Sequence, residues 1–453
     1  MKMPEFIRIV RIAVVVGLMS PLLPAQAPLT LSSAVSIALE KNPIRKMALA
    51  DVQIAKASTS QAKSAFMPHV GFSETATLGN DPIYAFGTKL RQGRFTTADF
   101  ALNALNYPNS ISNFSSRVGG QWNVFNAFGN TYQLRRAEAL QQASRQQLSR
   151  TDQELVFRVI DAYYGVLLAR KQVDVAEQTI KTAQAMVDSS TSRVEAGTVV
   201  ESDALSAKVN LAKRQEELIR ARSALEMART QLETALGVRL PPGQQPADLL
   251  KEQTLPPAVL EETEARALKQ RPDLQAIASQ IDAQHNSVKA AKAAFGPRLD
   301  VFGSWQADNP ALFTGGNNNW MTGAELHIDL FAREKHAQLA IEKATLSRVE
   351  AAHQSAEDNI RLDVRRAYFE QDAARQMLEV ARDTVAQADE SLRITRDRYE
   401  TGLVTITDLL RTEDAARASQ TNYWNSVYRY VTSYAAMELA SGDLSAQSPV
   451  VNQ

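Results

Sequence analysis

The sequence predicts a mainly α-helical protein with a smaller β part, built from two repeats of one design. Three observations predict it. Two very long stretches, 131–196 and 334–401, contain no proline and scarcely any glycine. Marker segments recur at a fixed offset along the chain, the sign of an internal repeat. Short segments between the helical stretches alternate apolar and polar side chains with period two, which is the strand signature.

The amino end reads as a secretory signal over residues 1–27. Lys2, Arg8 and Arg11 supply positive charge, Ile12 to Met19 an apolar core, and Ala25-Gln26-Ala27 a small-residue cleavage site. Pro28 directly after that site is unfavourable for cutting and leaves the cleavage point open. The apolar run is too short to span a bilayer, which takes about 20 residues. Lysine plus arginine and aspartate plus glutamate stand at 50 each, so no global field favours nucleic acid or an anionic surface. The chain has no cysteine, which excludes disulfides, thiolate metal sites, a cysteine nucleophile and a lipidated amino-terminal cysteine.

The first repeat is expected over residues 28–240 and the second over 258–444, joined by the proline-rich linker 241–257 and followed by a tail, 445–453. Ala162-Tyr163-Tyr164 returns as Ala367-Tyr368-Phe369, and Arg193-Val194-Glu195-Ala196-Gly197 as Arg398-Tyr399-Glu400-Thr401-Gly402, both 205 positions on. Towards the front of each half the offset is 229, from Pro43 to Pro272 and from Phe66 to Phe295. The mismatch places an insertion in the first half, near Leu78 to Arg117. Each half then has the order short helix, helix, strand, strand, very long helix, helix. Pro43 and Pro272 suit a first helical position, and Pro68 and Pro297 close those helices.

The long helices are expected near 131–196 and 334–401, with return helices near 200–237 and 404–440. At 1.5 Å per residue each long helix would measure about 100 Å. Val159, Val166, Val173, Ile180, Val187 and Val194 recur every seven residues, with Ala162, Ala169, Ala176, Ala183 and Ser190 three places later. This is a coiled-coil seam. Leu211, Leu218, Leu225 and Leu232 offer the matching seam on the first return helix. Each half is therefore a long antiparallel helical hairpin.

Four strands are expected, near 68–78, 117–125, 298–307 and 319–331. Trp320, Thr322, Ala324, Leu326, Ile328 and Leu330 share one face of the last, opposite Glu325, His327 and Asp329. Apolar outside with polar inside is the pattern of a transmembrane barrel, though a hairpin packed on helices alternates in the same way. A sheet facing lipid must close on itself, and the smallest such barrels have about eight strands. Several copies must then pool their strands, two chains giving eight and three giving twelve.

The doubled helix-strand-strand-helix order and the repeated turns Gly197-Thr198-Val199-Val200-Glu201-Ser202-Asp203 and Gly402-Leu403-Val404-Thr405-Ile406-Thr407-Asp408 resemble the TolC family of outer-membrane efflux and secretion channels. The resemblance covers essentially the whole mature chain. It implies a homotrimer, a twelve-stranded barrel in outer-membrane lipid, and a twelve-helix tube crossing the periplasm. It also implies partners: a periplasmic adaptor that docks at the turns, and an inner-membrane pump. On that basis Gly197, Thr198, Val199, Gly402, Leu403 and Val404 are the candidate docking tips. Turn chemistry alone also accounts for both glycines.

By the same resemblance Asp203, Asp408, Tyr399 and Arg411 are candidates for the periplasmic aperture, with Tyr399 a candidate partner of Asp203. Threefold symmetry would make each aspartate a ring of three carboxylates. The competing account is an exposed carboxylate near a helix start, opposing the helix dipole. Two positions depart from the family's pattern: Val404 stands where its best-known gate has a basic residue, and Arg411 where it has a second acidic one. Any closed-state lock here must use other contacts.

No catalytic constellation, cofactor or metal site is expected. The five histidines, at 69, 285, 327, 336 and 353, lack metal-ligand spacing, and no glycine-rich phosphate loop follows a strand. The sequence thus points to a passive duct of a tripartite efflux or secretion system. The alternative is a periplasmic coiled-coil protein without a channel. The aromatic insertion, with Tyr84, Phe86, Phe95, Phe100, Tyr107 and Phe114, either folds over the barrel mouth or packs on neighbouring loops.

Overall fold

The structure is a computed structural model that describes residues 28–452 apart from 242, 313 and 315. The secretory signal expected over 1–27 lies outside the described residues. Helix α1 (Leu31–Lys41) starts at Thr30, whose hydroxyl accepts the Ser33 N–H, and α2 (Pro43–Ser64) starts at Asn42, whose side chain accepts the Ile44 N–H. Strand β1 (His69–Gly79) leads through α3 (Pro82–Arg91), a short three-ten turn and α4 (Leu102–Asn106) into β2 (Ile111–Asn126). Then come the 67-residue α5 (Gly129–Glu195) and its return partner α6 (Glu201–Leu236). The second half repeats the order with α7 (Leu260–Gln270), α8 (Pro272–Ala293), β3 (Arg298–Asn309), β4 (Asn317–His327), the 68-residue α9 (Arg333–Glu400) and α10 (Ile406–Ser441).

Two strands differ from the sequence expectation. Strand β2 begins at Ile111 rather than near 117, because its outer end pairs with the whole of β1, as far as Gly79 with Ile111. Strand β4 ends at His327, so Ile328 and Leu330 lie beyond it, both exposed on the way to α9.

The four strands form one antiparallel sheet in chain order. The β2–β3 pairing crosses from one half to the other, with a register shift between Asn123 and Phe125. The halves also interleave through helices: α5 packs on α6, α2, α8 and α10, and α9 on α10, α8 and α7. The main core lies where the long helices pass the short ones. Tyr163, Val159 and Val166 of α5, Val364 and Leu378 of α9, and Val427 and Val431 of α10 are buried there with Val35 of α1. The linker joins this core through Leu250 and Leu255, and the tail through Val450 and Val451. Asp248 ties the linker to both α1 and α5, accepting from the Leu31 N–H at 3.1 Å and from the Tyr163 hydroxyl at 2.5 Å. Among the described residues no helix is long and apolar enough to cross a membrane.

Candidate functional site at the helical tips

Each hairpin reverses through the same local chemistry. Glycine takes φ +71° at Gly197 and +76° at Gly402, a left-handed backbone that residues with a Cβ adopt at a cost. At the first tip the Gly197 N–H donates to Val194 O and the Thr198 N–H to Arg193 O, both at 2.9 Å. At the second, the Gly402 N–H donates to Tyr399 O at 3.0 Å and the Leu403 N–H to Arg398 O at 2.9 Å. Both turns are Schellman closures, which satisfy the orphan carbonyls of a helix end.

The return helices start differently. Thr405 caps α10 in a full capping box, its hydroxyl accepting the Asp408 N–H at 3.2 Å. The Thr405 hydroxyl and N–H both donate to Asp408 Oδ2, at 2.8 and 3.3 Å. These two bonds, the hydroxyl's first, hold the Asp408 carboxyl below its ordinary range, and the charge of Arg411 adds to them. Val200 caps α6 and has no side-chain oxygen to offer, so Asp203 has no such box.

A small second core closes the tips. Val187, Ala207, Tyr399, Ile406 and Leu409 are buried together, with Val404 packed against them. Leu403 instead is 75% exposed, and Val200 at the first tip is 64% exposed. Thr198 is exposed and Val199 half-buried. The candidate docking residues thus divide between a buried-side Val404 and an outward Leu403. Val200 joins the exposed group, and its apolar side chain within a repeated turn was the signal for it.

Tyr399 is buried, and its hydroxyl finds no hydrogen-bond partner among the described residues. The pairing with Asp203 is therefore not made within one chain. Burial pushes the Tyr399 hydroxyl up, Arg193 opposes this, and the charge of Asp203 reinforces it. The Arg193 guanidinium lies 5.1 Å from the ring centroid, in cation-π range. Asp203 is half-buried and Arg411 exposed.

Above the tip, α6 and α10 are joined by charge. Arg214 is 2% exposed and forms ion pairs with Glu217 at 3.0 Å and with Asp414 across the helix pair. Lys213 also reaches Asp414, at 3.3 Å, and Arg417 approaches both carboxylates. The leucine seam predicted on α6 is buried only at Leu232 of its four members. Arg214 stands seven residues from Ala207 and from Ala221, a charge in an otherwise alanine register, and that break was legible in the sequence.

At the other end of the molecule, one row of the sheet runs Phe72, Val118, Trp305, Trp320 across paired positions of the four strands. All four side chains are exposed. The opposite face carries Ser73, Arg117, Gln306 and Asn319 in register. Glu74 breaks the apolar face, where it accepts a hydrogen bond from Ser116.

A family profile described as outer membrane efflux protein matches residues 34–238 and 265–443. The alkaline protease secretion protein AprF of Pseudomonas aeruginosa is 27% identical over 306 residues, 64% of this chain and 62% of its own length. The outer membrane protein OprJ of the same organism is 25% identical over 400 residues, 86% of this chain and 78% of its own. The crystal structure of the Campylobacter jejuni CmeC outer membrane channel shares the fold with a TM-score of 0.78 at 17% identity, over 93% of this chain and 88% of that one.

Proposed function

The chain belongs to the outer membrane efflux protein family, whose members are channel proteins of the outer membrane and not enzymes, and from this premise we propose that it is the exit duct of a tripartite export system. Three copies pool their four strands into a twelve-stranded barrel, and their long helices continue it as a twelve-helix tube through the periplasm. Substrates pass through passively, handed on by an inner-membrane pump and a periplasmic adaptor.

The observation that carries this reading is the sheet. Its apolar row is exposed on every strand, and among the described residues of one chain β1 and β4 each keep an unpaired edge. Unpaired edges are untenable in hydrocarbon, so the sheet calls for neighbours to close it. Twelve strands leave a wider lumen than eight. A periplasmic coiled coil without a channel gives no reason for outward tryptophans on two adjoining strands.

At the far end, Asp203 and Asp408 line the aperture as carboxylate rings, with Arg411 one helical turn beyond Asp408. Leu403 and Val200 present the apolar docking surface, since an exposed apolar tip has no core to join. Planar-bilayer conductance tests the aperture: the purified protein is expected to form cation-preferring channels, with the preference weakened in the Asp203→Ala/Asp408→Ala double variant. An unchanged preference would remove the rings. For docking, cysteine in place of Leu403 is expected to cross-link to a periplasmic adaptor, while cysteine in place of the mid-helix Glu379 is not. Equal cross-linking at both places would remove the tip assignment.

A further inference from the structure

The insertion between β1 and β2 is an ordered body. Asp81 caps α3 by accepting the Tyr84 N–H at 2.8 Å, Pro82 fills the first turn, and the Tyr84 hydroxyl donates to Thr77 O at 3.1 Å. Lys89 pairs with Asp99 at 2.6 Å, and Phe95 stands edge-on to both Phe86 and Phe100, with centroids at 4.7 and 5.1 Å. Ala85, Thr88 and Gln92, three and four residues apart, are buried along one side.

Where that buried side rests is the informative point. Gln92 donates to Ser112 O at 2.8 Å and to Asn113 Oδ1 at 3.0 Å. Asn113 donates to Asp308 Oδ1 at 2.7 Å, and Gln306 to both oxygens of the same carboxylate at 3.0 Å. Asp308 is fully buried with amide donors around it. Asn319 of β4 donates to Arg91 O at 3.4 Å. Side chains alternate along a strand, and the pairing puts Asn113, Gln306, Asp308 and Asn319 on the face opposite the Phe72–Trp320 row. From its root at the outer end of β1, α3 thus crosses the polar face as far as β4.

We propose that residues 80–110 cap the outer exit from within, so that three copies of α3, pinned through Gln92 and Asn113 to Asp308, set the largest molecule that can leave the barrel. The cap rests on the channel reading above, because the polar face is a lumen only in a closed barrel.

The chain has no cysteine, so Ser304→Cys on the polar face, further down β3 than Asp308, gives a single reporter thiol. Intact cells are treated from outside with a small impermeant thiol reagent or a bulky polyethylene-glycol maleimide. The bulky reagent is expected to lag strongly in the full chain and to label about tenfold faster once 83–107 is replaced by a short glycine-serine link, since passage depends on pore radius. Asp308→Asn, which keeps the loop and weakens its pin, is expected to give part of that gain and decides the matter if the shortened chain fails to insert. A bulky reagent that keeps pace with the small one in the full chain, or gains nothing in either variant, would overturn the cap. Failure of even the small reagent in every variant would overturn the channel reading instead.

Discussion

Asp408 accepts bonds from both the hydroxyl and the N–H of Thr405, whereas Asp203 follows a valine cap that has no hydroxyl and makes no side-chain cap bond. The two aspartates match in the repeat and both lie in the first turn of a return helix, yet only Asp408 closes a capping box. Because Asp408 is held below the ordinary value of 3.8, its contribution is present above that value and is lost as the pH falls through the lower folded value. Thr405→Ala is expected to cost the second tip about 1 kcal/mol, read as roughly fivefold faster amide exchange at the start of α10. Asp203→Asn is expected to leave exchange at the first tip unchanged at neutral pH. Equal acceleration at both tips would show that Asp203 is also structural.

At the scale of elements, glycines with the same backbone separate turn geometry from packing. Gly197 and Gly237 have φ +71° and +73°, but a Cβ at Gly197 meets nothing within 4 Å, while one at Gly237 would lie 2.6 Å from the Asn42 Cα. Gly197→Ala is therefore expected to cost only the left-handed backbone, about 1 kcal/mol. Gly237→Ala must in addition push α6 from the start of α2, and a clearly larger loss of thermal stability is expected; equal losses would refute the distinction. Helix lengths were legible because only Gly165 interrupts 131–196. Less legible was the insertion, whose α3 is marked in the sequence by Asp81-Pro82, a cap and first-turn pair, and not by its six aromatic residues. The partial burial of Val404 depends on Tyr399, Val187 and Leu409 meeting from both halves, and no local pattern carries such a meeting. The same holds for the β2–β3 pairing, which each hairpin read separately leaves open.

For the whole molecule the sheet's two faces ask for two solvents. Phe72, Val118, Trp305 and Trp320 are exposed together, yet tryptophan side chains rarely stand in contiguous rows against water. In the proposed duct, lipid accounts for that face, and water in a lumen for the face of Arg117, Gln306 and Asn319. Trp305 and Gln306 are neighbours in sequence and point to opposite sides, so the same charge placed on each separates the solvents. An arginine on a lipid face near the bilayer middle costs about 2–4 kcal/mol, whereas in a lumen it tunes selectivity. Trp305→Arg is therefore expected to reduce the amount of protein recovered in outer membranes, and Gln306→Arg to leave that amount unchanged while lowering cation preference in planar bilayers. If Gln306→Arg abolishes insertion and Trp305→Arg is tolerated, the faces are reversed, and with them the placement of α3 inside the exit. If both are tolerated, the sheet does not meet lipid, and the exposed tryptophans must be covered by protein.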